Sequence, residues 1–296
     1  MRVLIVGCGF VGNELAKQLH AAQHTTASAC ASRGTSELRV FALTRTAERC
    51  DALRAIHVEP IVAHWLDEVT LDSLPEVDVV VVSVPHREDA GLGIETHLVG
   101  LKNLRARLPA GWHKLIYLST TGVYGDLHDE VDESTPTQPT RIGPQIAVAT
   151  ETWLQHEFTA PQLAIIRLAG IYGPGRIPLA EKLRAGEPLQ VPQAGWLNLI
   201  HVSDIASMLR RLMQVEARES LYVFSDGNPV ARMDFYRTLA KLCGVDEPKF
   251  VEPDPNSSRV QRAGKKRVNP RRLIEELNLR LQFPSYQEGL ADCLTD

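Results

Sequence analysis

The sequence predicts an α/β protein built on a Rossmann-type, doubly wound parallel sheet with a smaller C-terminal substrate lobe. Three observations carry that expectation. Short β-branched runs alternate with helical patterns through the first half of the chain, as in a parallel sheet with helices on its faces. The run VDVVVVSV, residues 77–84, is apolar on both alternating faces, as a central strand covered on each side must be. The opening MRVLIVGCGFVG passes from an apolar run straight into GxGxxG spacing and then a helical pattern.

Taken in order, the expected strands are 2–6, 38–43, 58–62, 78–84, 114–118 and 163–168, and helical periodicity falls near 11–21, 48–55, 92–108 and 145–158. Between the first helix and the second strand, HTTASACASRGTSE (24–37) is small and polar and reads as an inserted loop. Beyond Ala169 the pattern shifts to loops rich in Pro and Gly, short helices at 203–215, 233–243 and 270–277, and a late strand at 221–224. The expected division is a dinucleotide-binding domain at 1–169 and a smaller lobe at 170–296 whose chain returns to the sheet over about 203–225. The charged run GKKR at 264–267 reads as a solvated turn.

Composition narrows the function classes. Apolar residues at 44% and charged residues at 23% of 296 are ordinary for a globular chain, so a packed core is expected. A formal charge of -4 gives no basic field for a phosphate backbone, which argues against nucleic acid as a partner. No apolar stretch approaches the ~18 residues of a membrane span, and the glycine loop starts too early for a secretion signal. The expected location is cytoplasmic, as a monomer or homodimer. Cys8, Cys30, Cys50, Cys243 and Cys293 are odd in number and far apart, so neither a disulfide framework nor a metal site is expected.

The glycine loop carries the chemistry. Gly7 would make the tight turn, Gly9 would let the backbone approach a pyrophosphate, and Gly12 would let helix pack on strand. The N–H groups at the helix start, around Phe10 and Val11, would face the anion. The second strand, RVFALTRT, ends in Thr44 and Arg45 with no carboxylate. That ending favours the 2′-phosphate of NADP, with NAD the alternative cofactor.

Four further stretches follow in order: YLSTTGVYGD (117–126), VDESTP (131–136), IIRLAGIYGPGR (165–176) and NLIHVSDIA (198–206). With the glycine loop they resemble the extended short-chain dehydrogenase/reductases, the NAD-dependent epimerase/dehydratase family, over nearly the whole chain. The resemblance implies that Thr120 hydrogen-bonds a substrate oxygen beside the nicotinamide. It also implies that Ser83, Val84, Ala169 and Gly170 line the cofactor and that Thr121, Arg176, Asn198 and His201 face the substrate.

That family moves the hydroxyl proton with a Tyr whose pKa is lowered by a Lys four residues on, one turn along the same helix face. Aligning the family's Glu, eight residues after its Tyr, with Glu151 puts Gly143 and Ala147 at the two positions. No Tyr or Lys occurs between Asp126 and Thr159. The resemblance is therefore to atypical members that lack the pair, and Gly143–Pro144 reads as a helix cap and first helical residue. The substitutes are His86, at the end of the central strand and with an ordinary pKa near ~6.5, and Tyr124 of the VYG motif. After the third strand His64 and Trp65 stand where an Asp near the adenine is common.

The leading reading is an oxidoreductase- or epimerase-like enzyme that uses NADP and a nonstandard acid or base on a small polar or sugar-like molecule. The competing reading is a non-catalytic NADP-binding scaffold or sensor. A conventional sugar-nucleotide epimerase is disfavoured, because its keto intermediate needs the missing base.

Overall fold

The computed structural model describes residues 1–29, 38–127, 129–254 and 264–294, with backbone alone over 24–29. Its first half runs β1 (Arg2–Val6), α1 (Phe10–Ala29), β2 (Arg39–Thr44), α2 (Cys50–Arg54), β3 (Glu59–Val62), β4 (Val79–Val82), α3 (Thr96–Arg107), β5 (Lys114–Thr120), β6 (Glu130–Val131), α4 (Ile142–Glu157) and β7 (Leu163–Leu168). There follow β8 (Gly170–Tyr172), α5 (Ala180–Arg184), β9 (Leu189–Gln190), β10 (Trp196–Leu197), β11 (Leu199–His201), α6 (Val202–Leu212) and β12 (Leu221–Phe224). The chain closes with β13 (Val230–Ala231), α7 (Arg232–Cys243), β14 (Phe250–Val251), β15 (Arg267–Val268), α8 (Arg271–Leu277) and α9 (Tyr286–Cys293).

Seven strands form one parallel sheet in the order β12-β7-β5-β4-β1-β2-β3, the doubly wound fold that the sequence predicts. The chain starts in the middle, with β1 bonded to β2 on one side and β4 on the other, Val3 facing both Val40 and Val79. Strand order reverses there, and ligands of such sheets sit outside the carboxyl ends of the strands at that reversal. Val79 to Val82 are each buried, which is why β4 is apolar on both faces.

The described residues fall into two units. The first comprises Met1–Ser119, Arg141–Ile166 and Ile205–Leu221, and the second Thr120–Thr140, Arg167–Asp204 and Tyr222–Asp296. The chain thus changes unit as early as Thr120, where β5 ends. In the first unit, strand residues such as Leu4, Val80 and Ile165 pack with Leu101, Leu104 and Leu154 from α3 and α4. In the second, Phe235 and Leu239 of α7 and Leu290 of α9 bury Tyr172, Leu189 and Leu199.

Three local expectations need correction. The stretch 24–37 is not wholly a loop, since α1 continues to Ala29; no Gly or Pro interrupts it before Gly34, and residues 30–37 lie outside the described residues. Helix α4 begins at Ile142 with Arg141 as its cap, so Gly143 and Pro144 are its second and third residues. Proline is tolerated there because first-turn N–H groups have no intrahelical partner. Finally, GKKR is not a solvated turn: Lys266 is buried and its Nζ donates to the Gly125 carbonyl at 2.9 Å.

Candidate functional site

Each glycine of the loop has its own reason to lack a side chain. Gly7 sits at φ +90, and a Cβ there would stand 2.8 Å from the Val84 nitrogen and 2.9 Å from the Ser83 carbonyl. Among the described residues nothing lies within 4 Å of a Cβ built on Gly9. A Cβ on Gly12 would meet Ile5 Cγ2 at 3.0 Å and the Gly7 carbonyl at 3.2 Å. Turn, open approach and helix-on-strand packing fall in the order that a pyrophosphate loop requires.

Side chains around the loop hold it in shape. Ser83 Oγ donates to the Gly7 carbonyl at 2.7 Å, so Ser83 braces the turn from the end of β4. Arg49 Nη2 donates to the Cys8 carbonyl at 2.9 Å, tying the segment after β2 to the same loop. Burial pushes the Cys8 thiol up to about 11, leaving it protonated and unreactive; its Sγ donates to Asn13 Oδ1. Phe10 and Val11 open α1, whose first N–H groups carry the helix's positive end.

At the end of β2, Thr44 is buried and its hydroxyl donates to the Thr46 carbonyl, so its side chain serves the turn. Arg45 is 72% exposed, and its Nη1 lies 3.6 Å from Asp89 Oδ2. The same carboxylate oxygen is 3.9 Å from His64 Nε2, so one loop acid stands between the residues that follow β2 and β3.

His86 lies in a network that the sequence did not reveal. Its Nε2 is 2.9 Å from the Tyr117 hydroxyl, which is also 2.9 Å from His97 Nδ1, and His97 Nε2 is 3.1 Å from the Pro85 carbonyl. A carbonyl only accepts, so His97 carries its proton on Nε2; Tyr117 then donates to His97 Nδ1, and His86 Nε2–H donates to Tyr117. Burial, with His97 adding repulsion, pushes the His86 pKa down to about 3, and burial pushes that of His97 to about 4. Both rings are neutral at pH 7. His86 is therefore not the near-neutral proton shuttle that its ordinary pKa suggests.

Helix α4 contains no Tyr or Lys. A Cβ on Gly143 would stand 2.6 Å from the His86 carbonyl oxygen, so main chain fills the space beside that position. Ala147 is fully buried, and Glu151 is buried, accepting a hydrogen bond from Ser119 Oγ.

The second unit holds the remaining candidates. Thr120 Oγ1 accepts from the Gly122 N–H at 3.0 Å, capping a 3₁₀ turn at Thr121–Tyr124 and leaving its own proton to donate elsewhere. Thr121 is buried. Tyr124 is fully buried, donates to the Asp132 carbonyl at 2.6 Å and accepts from Arg167 Nη1 at 3.0 Å. Its hydroxyl is fixed within the fold, which corrects the reading of Tyr124 as a proton carrier.

Ala169 is buried with its N–H on the Phe224 carbonyl, while Gly170 is exposed and its N–H bonds the Asn198 carbonyl. The Asn198 side chain bonds the backbone on both sides of Arg267, through the Lys266 carbonyl and the Val268 N–H, and so serves as a structural clamp. Arg176 is exposed. His201 is fully buried between Tyr172 and Phe283, so it too is part of the packing and not a surface for substrate.

His201, Asp292 and Cys293 bring three potential metal ligands together among the described residues. However, His201 Nδ1 accepts the Ser203 N–H, which leaves the proton on the Nε2 that faces Cys293 and Asp292. A metal needs that nitrogen bare, so hydrogen bonding accounts for the group. No helix among the described residues is long and apolar enough to cross a membrane.

Fold and loop together define a Rossmann protein with a pyrophosphate-type glycine turn at its switch point. A profile of the NAD dependent epimerase/dehydratase family matches residues 3–223, and the chain belongs to that family. It is 29% identical over 290 residues to protein YeeZ of Escherichia coli, covering 96% of each chain. A putative NAD-dependent epimerase/dehydratase from Methylobacillus flagellatus superposes with a TM-score of 0.75 at 26% identity, over 99% of this chain and 97% of that one. UDP-glucose 4-epimerase of Thermus thermophilus, solved in complex with NAD, shares the fold with a TM-score of 0.74 at 18% identity, over 99% and 98%.

Proposed function

We propose that this chain is a nicotinamide-dinucleotide enzyme of the family that prefers NADP and acts on a small polar or sugar-like molecule without the usual Tyr–Lys pair. The observation that carries the reading is the glycine loop: rigid at Gly7 and Gly12, open at Gly9, and braced by Ser83 and Arg49. Gly7, Gly9 and the N–H groups of Phe10 and Val11 would hold the pyrophosphate, and Arg45 the 2′-phosphate. The bound dinucleotide supplies or takes the hydride. Releasing Arg45 from Asp89 costs little, since exposed ion pairs contribute about 0–1 kcal/mol. Thr120 has a hydroxyl proton to direct at a substrate oxygen. With Tyr124 committed to the fold and His86 held neutral, water relayed by Thr120 is the remaining proton carrier.

One observation favours a second reading, a cofactor-bound scaffold or sensor: main chain occupies the space beside Gly143 where an acid would stand. Fluorescence titration with NADPH and NADH tests the cofactor, followed by turnover over a panel of secondary alcohols and sugar nucleotides. NADPH should bind more tightly, and Arg45→Ala should erase the difference; equal affinities in the wild type would refute it. Turnover should fall ~100- to 10,000-fold below what a positioned acid supports, and its complete absence with NADPH bound would leave the scaffold reading standing.

A further inference from the structure

In a sheet of this kind the adenosine ribose is read at the end of the second strand, where a carboxylate takes the 2′-OH of NAD and an Arg takes the 2′-phosphate of NADP. Strand β2 ends in Thr44 followed by Arg45, so its own sequence brings the cation alone. The fold brings a carboxylate to the same place from another segment. Asp89, in the loop after β4, sets its Oδ2 3.6 Å from Arg45 Nη1. His64, which follows β3, brings its Nε2 to 3.9 Å from that oxygen, so one acid spans the ends of two strands. All three residues belong to the first unit.

The turn around Asp89 fixes where its carboxylate stands. Its N–H donates to Thr96 Oγ1 at 3.3 Å, and its carbonyl accepts from the Leu92 N–H at 3.1 Å. Thr96 is buried and its hydroxyl donates to the Gly93 carbonyl at 2.8 Å, which anchors the turn in the interior. Ala90 at φ +54 and Gly91 at φ +71 reverse the chain just after the acid, a conformation uncommon for a residue with a side chain such as Ala90. Asp89 Oδ1 accepts from the Ala90 N–H at 2.9 Å, and Oδ2 is the oxygen turned to Arg45 and His64. A carboxylate oxygen accepts more than one hydrogen bond, so Oδ2 can take a hydroxyl while keeping Arg45 beside it. The side chains of Asp89 and Arg45 are 48% and 72% exposed, and both can meet a ligand without unpacking the core.

Given the dinucleotide reading above, on which this rests, we infer that Asp89 is a specificity residue for the cofactor, supplying from the loop after β4 the carboxylate that β2 lacks. With NAD, Asp89 Oδ2 accepts the ribose 2′-OH and Arg45 remains its neighbour. With NADP, the 2′-phosphate takes Arg45, and the Asp89 carboxylate is left facing a like charge. Each of the two side chains therefore favours one cofactor and works against the other. Asp89 tempers the preference for NADP that Arg45 creates, and the two cofactors compete on closer terms than the end of β2 alone would set.

Fluorescence titration of the full chain with NADPH and with NADH, at fixed ionic strength, tests it in the wild type and in two variants. Asp89→Ala removes both charge and acceptor. Its affinity for NADPH should rise about two- to fivefold, the scale of an exposed ion pair, and its affinity for NADH should fall about two- to tenfold, the scale of one hydrogen bond. Asp89→Asn keeps an acceptor for the Ala90 N–H and for a ribose hydroxyl, so it should show the gain for NADPH with a smaller loss for NADH. A role confined to shaping the loop would move both cofactors the same way. The inference stands if the two affinities shift in opposite directions in Asp89→Ala, and any other result in that variant overturns it. Failure of the dinucleotide reading looks different: the wild type then binds neither cofactor. Equal affinities in the wild type would refute the preference for NADP alone, with the opposite shifts in Asp89→Ala still to be seen.

Discussion

The two units lean on different means of satisfying buried polar groups. In the first, strand backbones satisfy one another in a parallel ladder, and the titratable side chains of the network of His86, Tyr117 and His97 are uncharged at pH 7. In the second, strands are two to four residues long and side chains hold the loops. Asp204 accepts the N–H groups of Gln282 and Phe283, Asn198 clamps the segment at Lys266–Val268, and Lys266 reaches Gly125. A ladder tolerates changes of sequence that keep the apolar pattern, whereas a set of side-chain clamps depends on each named residue.

The contrast can be broken most forcefully at Gly143. Its neighbour is main chain, so Gly143→Ala should cost about 1–3 kcal/mol through overpacking, read as a lower urea midpoint. An unchanged midpoint would mean that the loop after β4 yields easily and that the first unit is softer than its ladder suggests.

Opposite pH dependence is the next largest effect. His86 and His97 have pKa values lowered by burial below the unfolded value, so their contribution to stability is full above about pH 6.5 and is lost as pH falls towards about 4. Asp226 behaves inversely: burial, with Asp204 and Glu288 adding repulsion against bonds from backbone N–H groups, pushes it up to about 7. Its contribution is full below the unfolded value near 4 and is lost as pH rises to about 7. The wild type should therefore show a shallow pH profile between 4 and 7, the sum of two slopes. Asp226→Asn should make stability rise with pH across that window, and the double variant His86→Gln, His97→Gln should make it fall, by about 1–3 kcal/mol each. Urea melts at pH 4.5, 6 and 7.5 decide this, and slopes of the same sign would remove the distinction.

The smallest effect lies on the surfaces, where the units should not differ. Arg39 pairs with Glu59 at 2.6 Å in the first and Arg237 with Glu247 at 2.8 Å in the second. Double-mutant cycles should give below about 1 kcal/mol for both. A much larger value for either would show that exposed charge also separates the two.

The same contrast explains what could be read in the chain. VDVVVVSV declares a central strand because burial on both faces is a local demand on every residue, and GxGxxG declares its loop because three conformational needs lie within six positions. Arg45 and Thr120 are singled out by position alone, one at the end of the second strand and the other before VYG. His97 and Tyr117, 20 residues apart, meet only after the sheet has formed, and nothing local to either marks the pairing. His86 is legible as a residue, but its bond to Tyr117 and the lowering of its pKa are not. The clamps of the second unit span 68 to 141 residues of sequence, as with Asn198 to Lys266 and Lys266 to Gly125. GKKR illustrates the cost: a charged run looks solvated until one of its lysines is found bonded to a distant carbonyl.

The contact between Gly143 and the His86 carbonyl also bears on how this lineage can change. A side chain that blocks a site can be trimmed by one mutation, but a main-chain carbonyl cannot. A side chain placed at 143 before the loop after β4 is rebuilt carries the strain of the clash, whereas a rebuilt loop beside Gly143 does not. The order of events is thereby constrained, loop first and residue second, so the packing acts as a ratchet. Proton chemistry is therefore more accessible from other positions than from a side chain placed at 143.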